Sequence, residues 1–253
     1  MVAIKLTDKE LRMEKELLEA GSKLADPPSS VDELLNLLDR VECCVSSVEQ
    51  SHTEPMLIAL SPLLKALTAD KLMRHSDEGV RVSIASCISE LIRITAPDPP
   101  YEDDQMKEVF HLIVSAVENL HDMSSRSYAK RINILYLLAK VRSCILMLDL
   151  NCDLLILEMF QHFFKEIREY HPETVFSSME TIMNLVIEES NDSSWDLIVP
   201  VLTRVQEHDE GVSPTARKLG ERVLKASTIL KLQLYQEKKS LENSGVDYNQ
   251  ESV

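Results

Sequence analysis

Seven histidines, five cysteines and a scatter of carboxylate pairs are the side chains of this 253-residue chain that could carry chemistry. Histidine and cysteine at fixed spacing hold zinc, and H-E-x-x-H on a helix places a metal beside a general base. None of His52, His75, His111, His121, His162, His171 and His208 stands in such a pattern. His121-Asp122 and His208-Asp209 read as turn residues. Cys43, Cys44, Cys87, Cys144 and Cys152 contain no C-x-x-C spacing. An odd number without a framework reads as reduced thiols of a cell interior. There is no G-x-S-x-G elbow, no Walker loop and no G-x-G-x-x-G. Five glycines in all leave little material for loops that cradle phosphate. Glu102-Asp103-Asp104 reads as an acidic helix start, where negative charge complements the helix dipole. Glu188-Glu189 falls at a helix end. Met159, Phe160, Phe163 and Phe164 recur at helical spacing and read as core. The chain is expected to be no enzyme and to hold no metal, cofactor or small-molecule substrate.

Charge narrows the partners. The formal net charge is -15. A nucleic-acid binder displaces counterions from phosphates with a basic face, so binding over the whole surface is disfavoured. The charge is uneven, however. Pro172 to Glu210 holds nine acidic residues and one basic, whereas Ser124 to Leu146 holds five basic and none acidic. Arg126, Lys130 and Lys140 fall within one third of a helix circumference at 100° per residue. They form a candidate basic groove for an acidic segment or, as a separate reading, for nucleic acid. The charged start MVAIKLTDKELRMEKE carries no signal peptide. No apolar run approaches the roughly 20 residues of a membrane span. The expectation is a soluble protein of cytoplasm or nucleus.

The elements that position these residues are helices. Glycine is scarce, Leu, Glu, Ala, Lys and Met are plentiful, and alternating strand-type runs are few, so the fold class is all-α. A charged helix from about Thr7 ends near Gly21, a candidate C-terminal cap. Ser30 with Glu33 is a capping box ahead of VDELLNLLDRVECCVSSVEQ. Pro62 bends or restarts the helix that follows Pro55. QMKEVFHLIVSAVENL follows the acidic start. One long helix then runs from Ser124-Ser125 through SYAKRINILYLLAKVRSCILML. It is apolar nearly all round, so it belongs between neighbours on two sides. LLILEMFQHFFKEIREY and TVFSSMETIMNLVIEES follow, with Pro172 at a first-turn position. Residues from about Gln236 lack periodic apolar positions and read as a disordered tail.

One stretch, HSDEGVRVSIASCISELIRITAPDPPY, carries the clearest punctuation. Asp77 precedes Val80 by three residues, the spacing of an N-cap. Val80, Ile84, Cys87, Ile88, Leu91 and Ile92 give one apolar face. Ala85 and Ser86 are small, as close approach of another helix requires. Ala96-Pro97-Asp98-Pro99-Pro100 ends the helix, because proline lacks the donor and restrains its predecessor.

Helices recur in pairs. First helices begin near Pro55, Asp104, Asp153 and Ser194, and second helices near Val80, Arg126, Thr174 and Val212. Val80 and Val212 lie 132 residues apart, three periods of 44. This is the period of HEAT repeats, so the architecture is an α-solenoid of HEAT-like helical pairs with one continuous core. We divide it into an N-terminal helical cap (1–54), an array of about four pairs (55–235) and the tail (236–253).

RHSDEGVRVSIASCISELIRITAPDPPYEDDQMKEVF, SSRSYAKR, AKVRSCILMLDL, EMFQHFFKEIREYHPETVFSSMETIM and ARKLGERVL together resemble one family. They are similar to plant homologues of the cohesion regulator "precocious dissociation of sisters protein 5". The likeness runs from about Glu14 to Ala226. It implies a nuclear, cohesin-associated HEAT-repeat regulator acting in sister-chromatid cohesion, chromosome segregation, cell division and DNA repair. It implies contact with chromatin through cohesin, and docking of short peptide motifs from the cohesin release factor and its antagonists. The family's docking segment reads Ala-Pro-Asp-Ala-Pro-Tyr. It matches Ala96, Pro97, Asp98, Pro99, Pro100 and Tyr101 here, with Pro99 in place of alanine. In that role Tyr101 offers an amphipathic ring and Asp98 a charge partner, while prolines hold both at low entropic cost. The family's members are several times longer, and their contact with the kleisin subunit is expected beyond this chain. A truncated paralogue, a fragment and an alternative product that binds regulators without the ring all stay open. So does a generic α-solenoid adaptor.

Overall fold

The computed structural model describes residues 8–50, 54–190, 197, 199, 201 and 213–226. Its helices are α1 (Asp8–Ala25), α2 (Val31–Ser46), α3 (Glu54–Leu67), α4 (Asp70–Met73), α5 (Glu78–Thr95), α6 (Asp103–Ser115), α7 (Tyr128–Lys140), α8 (Leu146–Asp149), α9 (Asp153–Glu166) and α10 (Glu173–Glu189). A further helix covers 214–226, and no strand occurs among the described residues. The expected starts at Ser194 and Val212, and the tail from 236, lie outside those residues.

The helices form two rows. The second helices of successive pairs, α2, α5, α7 and α10, pack side by side in chain order. In the other row α1 packs on α3, and α6 on α9. The N-terminal segment therefore supplies a pair of its own: α1 and α2 lie against α3 and α5 as later pairs lie against one another. One cluster of buried apolar side chains runs from Leu17 to Val223. Each large side chain fully buried in it contributes about 1.5–3 kcal/mol relative to exposure.

Local signals act as the residue types require. Asp77 Oδ1 accepts from Val80 N–H at 2.9 Å and starts α5. Ser30 Oγ accepts from Glu33 N–H at 3.5 Å and starts α2. α7 packs between α5 and α10, as its apolar circumference requires.

Four expectations are corrected. α1 continues through Gly21 instead of stopping there. A Cβ at Gly21 would lie 2.7 Å from Leu63 N and 2.8 Å from Pro62, so glycine serves close helix approach. Pro62 does not restart α3, which is one helix from Glu54 to Leu67. The long helix after Ser124 is split. α7 ends at Lys140, Arg142 takes a left-handed φ of 58°, and a 3₁₀ turn at Ser143–Ile145 precedes α8. That turn carries Cys144, and α8 carries Met147, into the core. Finally, α5 is buried on nearly every side, polar Ser83, Ser86, Ser89 and Glu90 included, because α2, α6 and α7 all flank it.

Candidate docking site

Two neighbouring helices end side by side, and each caps the other. The last carbonyls of a helix lack intrahelical donors. Arg93, in the last turn of α5, donates to Val45 O at 3.1 Å and Val48 O at 2.8 Å, at the end of α2. Glu90 grips the same guanidinium at 2.6 Å, and Asn133 of α7 donates to Glu90 at 3.1 Å. In return Gln50, just beyond α2, donates from Nε2 to the carbonyl of Ala96 at 2.5 Å. Ala96 is the C-cap of α5.

The segment Ala96–Tyr101 departs from this joint. The Ala96–Pro97 bond is cis, and Asp98 N–H donates to Thr95 O at 3.1 Å. Pro97, Asp98 and Pro99 are exposed and Pro100 is half-buried. Tyr101 is 9% exposed, and its hydroxyl donates to Leu64 O of α3 at 3.3 Å. Burial pushes its phenol well above the ordinary range. In the free chain the Tyr101 ring is packed against the core. Tyr101 also lines a shallow groove of ≈ 330 Å³ with Pro99, Pro100, Glu102, Asp103 and Gln105. Gln105 holds the groove to the turn after α3 through Thr68 Oγ1 at 2.9 Å. Around it Asp98, Glu102, Asp103 and Asp104 are exposed. The surface is thus acidic and braced by prolines, and its complement is an extended segment carrying a cation. The Pro99 ring lies on the exposed surface, where an alanine would present a single methyl.

The three candidate basic residues are not brought together as a free groove. Arg126 precedes α7, so the helical wheel does not apply to it. It reaches Asp39 of α2 at 2.7 Å. Lys130 contacts Asp39 at 2.9 Å and makes a short pair with Glu42. Burial raises the Asp39 pKa, but the bonds from Lys130 and Arg126 outweigh it and hold the carboxyl below its usual range. Lys140, at the far end of α7, stands over the Tyr136 ring at 5.3 Å. Two of the three charges are therefore met from within the chain.

Beside them lies a polar cleft of ≈ 600 Å³ lined by Glu78, Ser83, Asn119, Arg126, Lys130 and Arg131 among others. Arg131 is buried, donates to the carbonyls of Ala116 and Glu118, and pairs with Glu78 at 2.5 Å. Sequence reasoning missed Arg131, Arg93 and Gln50. Their partners are mostly backbone carbonyls far along the chain, which leave no local pattern.

The family model described as "Sister chromatid cohesion protein PDS5 protein" matches residues 32–236. The chain belongs to the PDS5 family. Arabidopsis thaliana PDS5 homolog C is 56% identical over 219 residues, which cover 87% of this chain and 25% of that protein. Homolog D of the same plant is 49% identical over 84% of this chain and 26% of that protein. Saccharomyces cerevisiae PDS5 is 32% identical over 65% of this chain and 13% of that protein. Among solved structures, one titled "Structure of the Pds5-Scc1 complex and implications for cohesin function" superposes with a TM-score of 0.67. It shares 27% identity and covers 89% of this chain and 36% of that one. The HEAT-repeat solenoid read from the 44-residue period is therefore the PDS5 fold. The chain spans about a quarter of the length of the plant PDS5 relatives it matches.

Proposed function

We propose that this chain is a non-enzymatic, cohesin-associated regulatory scaffold of the nucleus. It acts in sister-chromatid cohesion, chromosome segregation and DNA repair by docking short peptide motifs of cohesin regulators at Ala96–Tyr101. The observation that carries this reading is the segment itself. Asp98 and two prolines stand exposed on a joint whose ends are pinned by Gln50 and Tyr101. Membership of the PDS5 family and the likeness to the Pds5–Scc1 structure support the association with cohesin. Chromatin is reached through cohesin. Direct contact with DNA through Arg126 and Lys130 is disfavoured, because Asp39 and Glu42 already hold both charges.

Pull-down from nuclear extract tests the reading. The wild-type chain recovers cohesin subunits and the release factor, and Asp98→Lys loses the release factor. Asp98 is exposed, so this substitution leaves the core intact, which Tyr101→Ala would not. Recovery of neither partner by the wild type overturns the proposal and leaves a generic α-solenoid adaptor.

A further inference from the structure

The docking segment is pinned at two points by two different helix pairs. At its far end Tyr101 is tied to Leu64 of α3. At its near end the backbone bonds of Ala96 and Asp98 return only to α5, to Ile92 O at 3.0 Å and Thr95 O at 3.1 Å. Among the described residues, the hydrogen bond from another element there is Gln50 Nε2 on the Ala96 carbonyl, at 2.5 Å. That carbonyl sits at a helix C-terminus and needs a donor from outside the helix. The loop bearing Gln50 is itself held by the α5 side chain Arg93 through Val45 O and Val48 O. The arrangement is reciprocal: each helix end is satisfied by a side chain from the other.

We propose that Gln50 is a positioning residue of the docking segment. Together with Arg93 it forms a latch through which the loop after α2 sets the geometry of Ala96–Asp98. The inference rests on the docking reading for its consequence, but the latch is a property of the free chain. The two members act differently. Arg93 is largely buried and bonded to a buried carboxylate, so it also serves stability. Gln50 is exposed, and a neutral hydrogen bond of this kind shifts a local equilibrium by about two- to tenfold. Gln50 is thus suited to tune the segment while the fold stays unchanged.

Backbone amide hydrogen exchange across residues 93–101 of the free chain tests the latch. Gln50→Ala is expected to speed exchange at Ala96 and Asp98 by about two- to tenfold. Exchange in α9 and α10, and the thermal midpoint, stay at wild-type values. Gln50→Lys, which keeps a donor on a stem of similar reach, restores protection. Unchanged exchange at Ala96 and Asp98 in Gln50→Ala overturns the latch. So does equal acceleration throughout the chain, which would make Gln50 a general stabiliser. Because no peptide is present, this outcome is independent of docking. Gln50→Ala should then weaken recovery of the release factor in the pull-down above. An intact latch in a chain that recovers no regulator sinks the docking reading alone.

Discussion

Tyr101 and Asp98 divide the work of the proposed docking segment between anchoring and display. The Tyr101 hydroxyl meets the Leu64 carbonyl of α3, and its ring belongs to the core. Tyr101→Phe should therefore cost about 0.5–1.5 kcal/mol in urea unfolding, with the exposed face of the segment unaltered. A loss near zero would mean that the hydroxyl is satisfied equally well by water. The sequence placed both residues in one motif. It could not tell buried from exposed, because six proline-rich residues carry no helical or strand period. Asp39 carries a second residue-scale prediction. Its folded pKa lies below its ordinary value, because Lys130 and Arg126 overcome the effect of burial. A depressed carboxyl contributes stability above its unfolded pKa of about 4 and loses it as pH falls through the folded value. The stability gap between wild type and Asp39→Asn should thus be full at neutral pH and close as pH drops below about 4. Urea midpoints measured against pH check this, and parallel curves would contradict it.

At the scale of elements, capping, period and the proline-marked stop at Ala96 were legible, and the unmarked break after Lys140 was not. Asp77 and Ser30 are short side chains that bond locally, so their role shows in three residues of sequence. The turn at Arg142 is imposed by what Cys144 and Met147 must reach, and no glycine or proline marks it. Gly21 misled for a related reason. Glycine is common at helix ends, but here a second helix lies against it. Gly21→Ala should push α1 from Pro62 and Leu63 at a cost of about 1–3 kcal/mol. Since α1 shares the core of α3, the loss should appear in the main cooperative transition. A separate early transition of α1 and α2 would show that the first pair is a cap with its own stability.

The whole molecule is a row of helix pairs whose first pair takes part in the candidate site. The period of 44 residues revealed the array, and the resemblance of the opening motifs to the family pointed to the segment at Ala96. Neither revealed that Gln50, in what reads as a separate N-terminal cap, holds that segment, because the contact spans 46 positions of sequence. A solenoid brings such residues together through stacking of neighbouring units. In the proposed role, the acidic, proline-braced surface at the end of α5 receives cationic peptide motifs of cohesin regulators. A hydrogen-exchange footprint with synthetic peptides tiled across the release factor tests it most directly. A peptide carrying a basic side chain is expected to protect residues 96–105 in the wild type, with no such protection in Asp98→Lys. Protection confined to another surface of the array, or equal protection in Asp98→Lys, would contradict it.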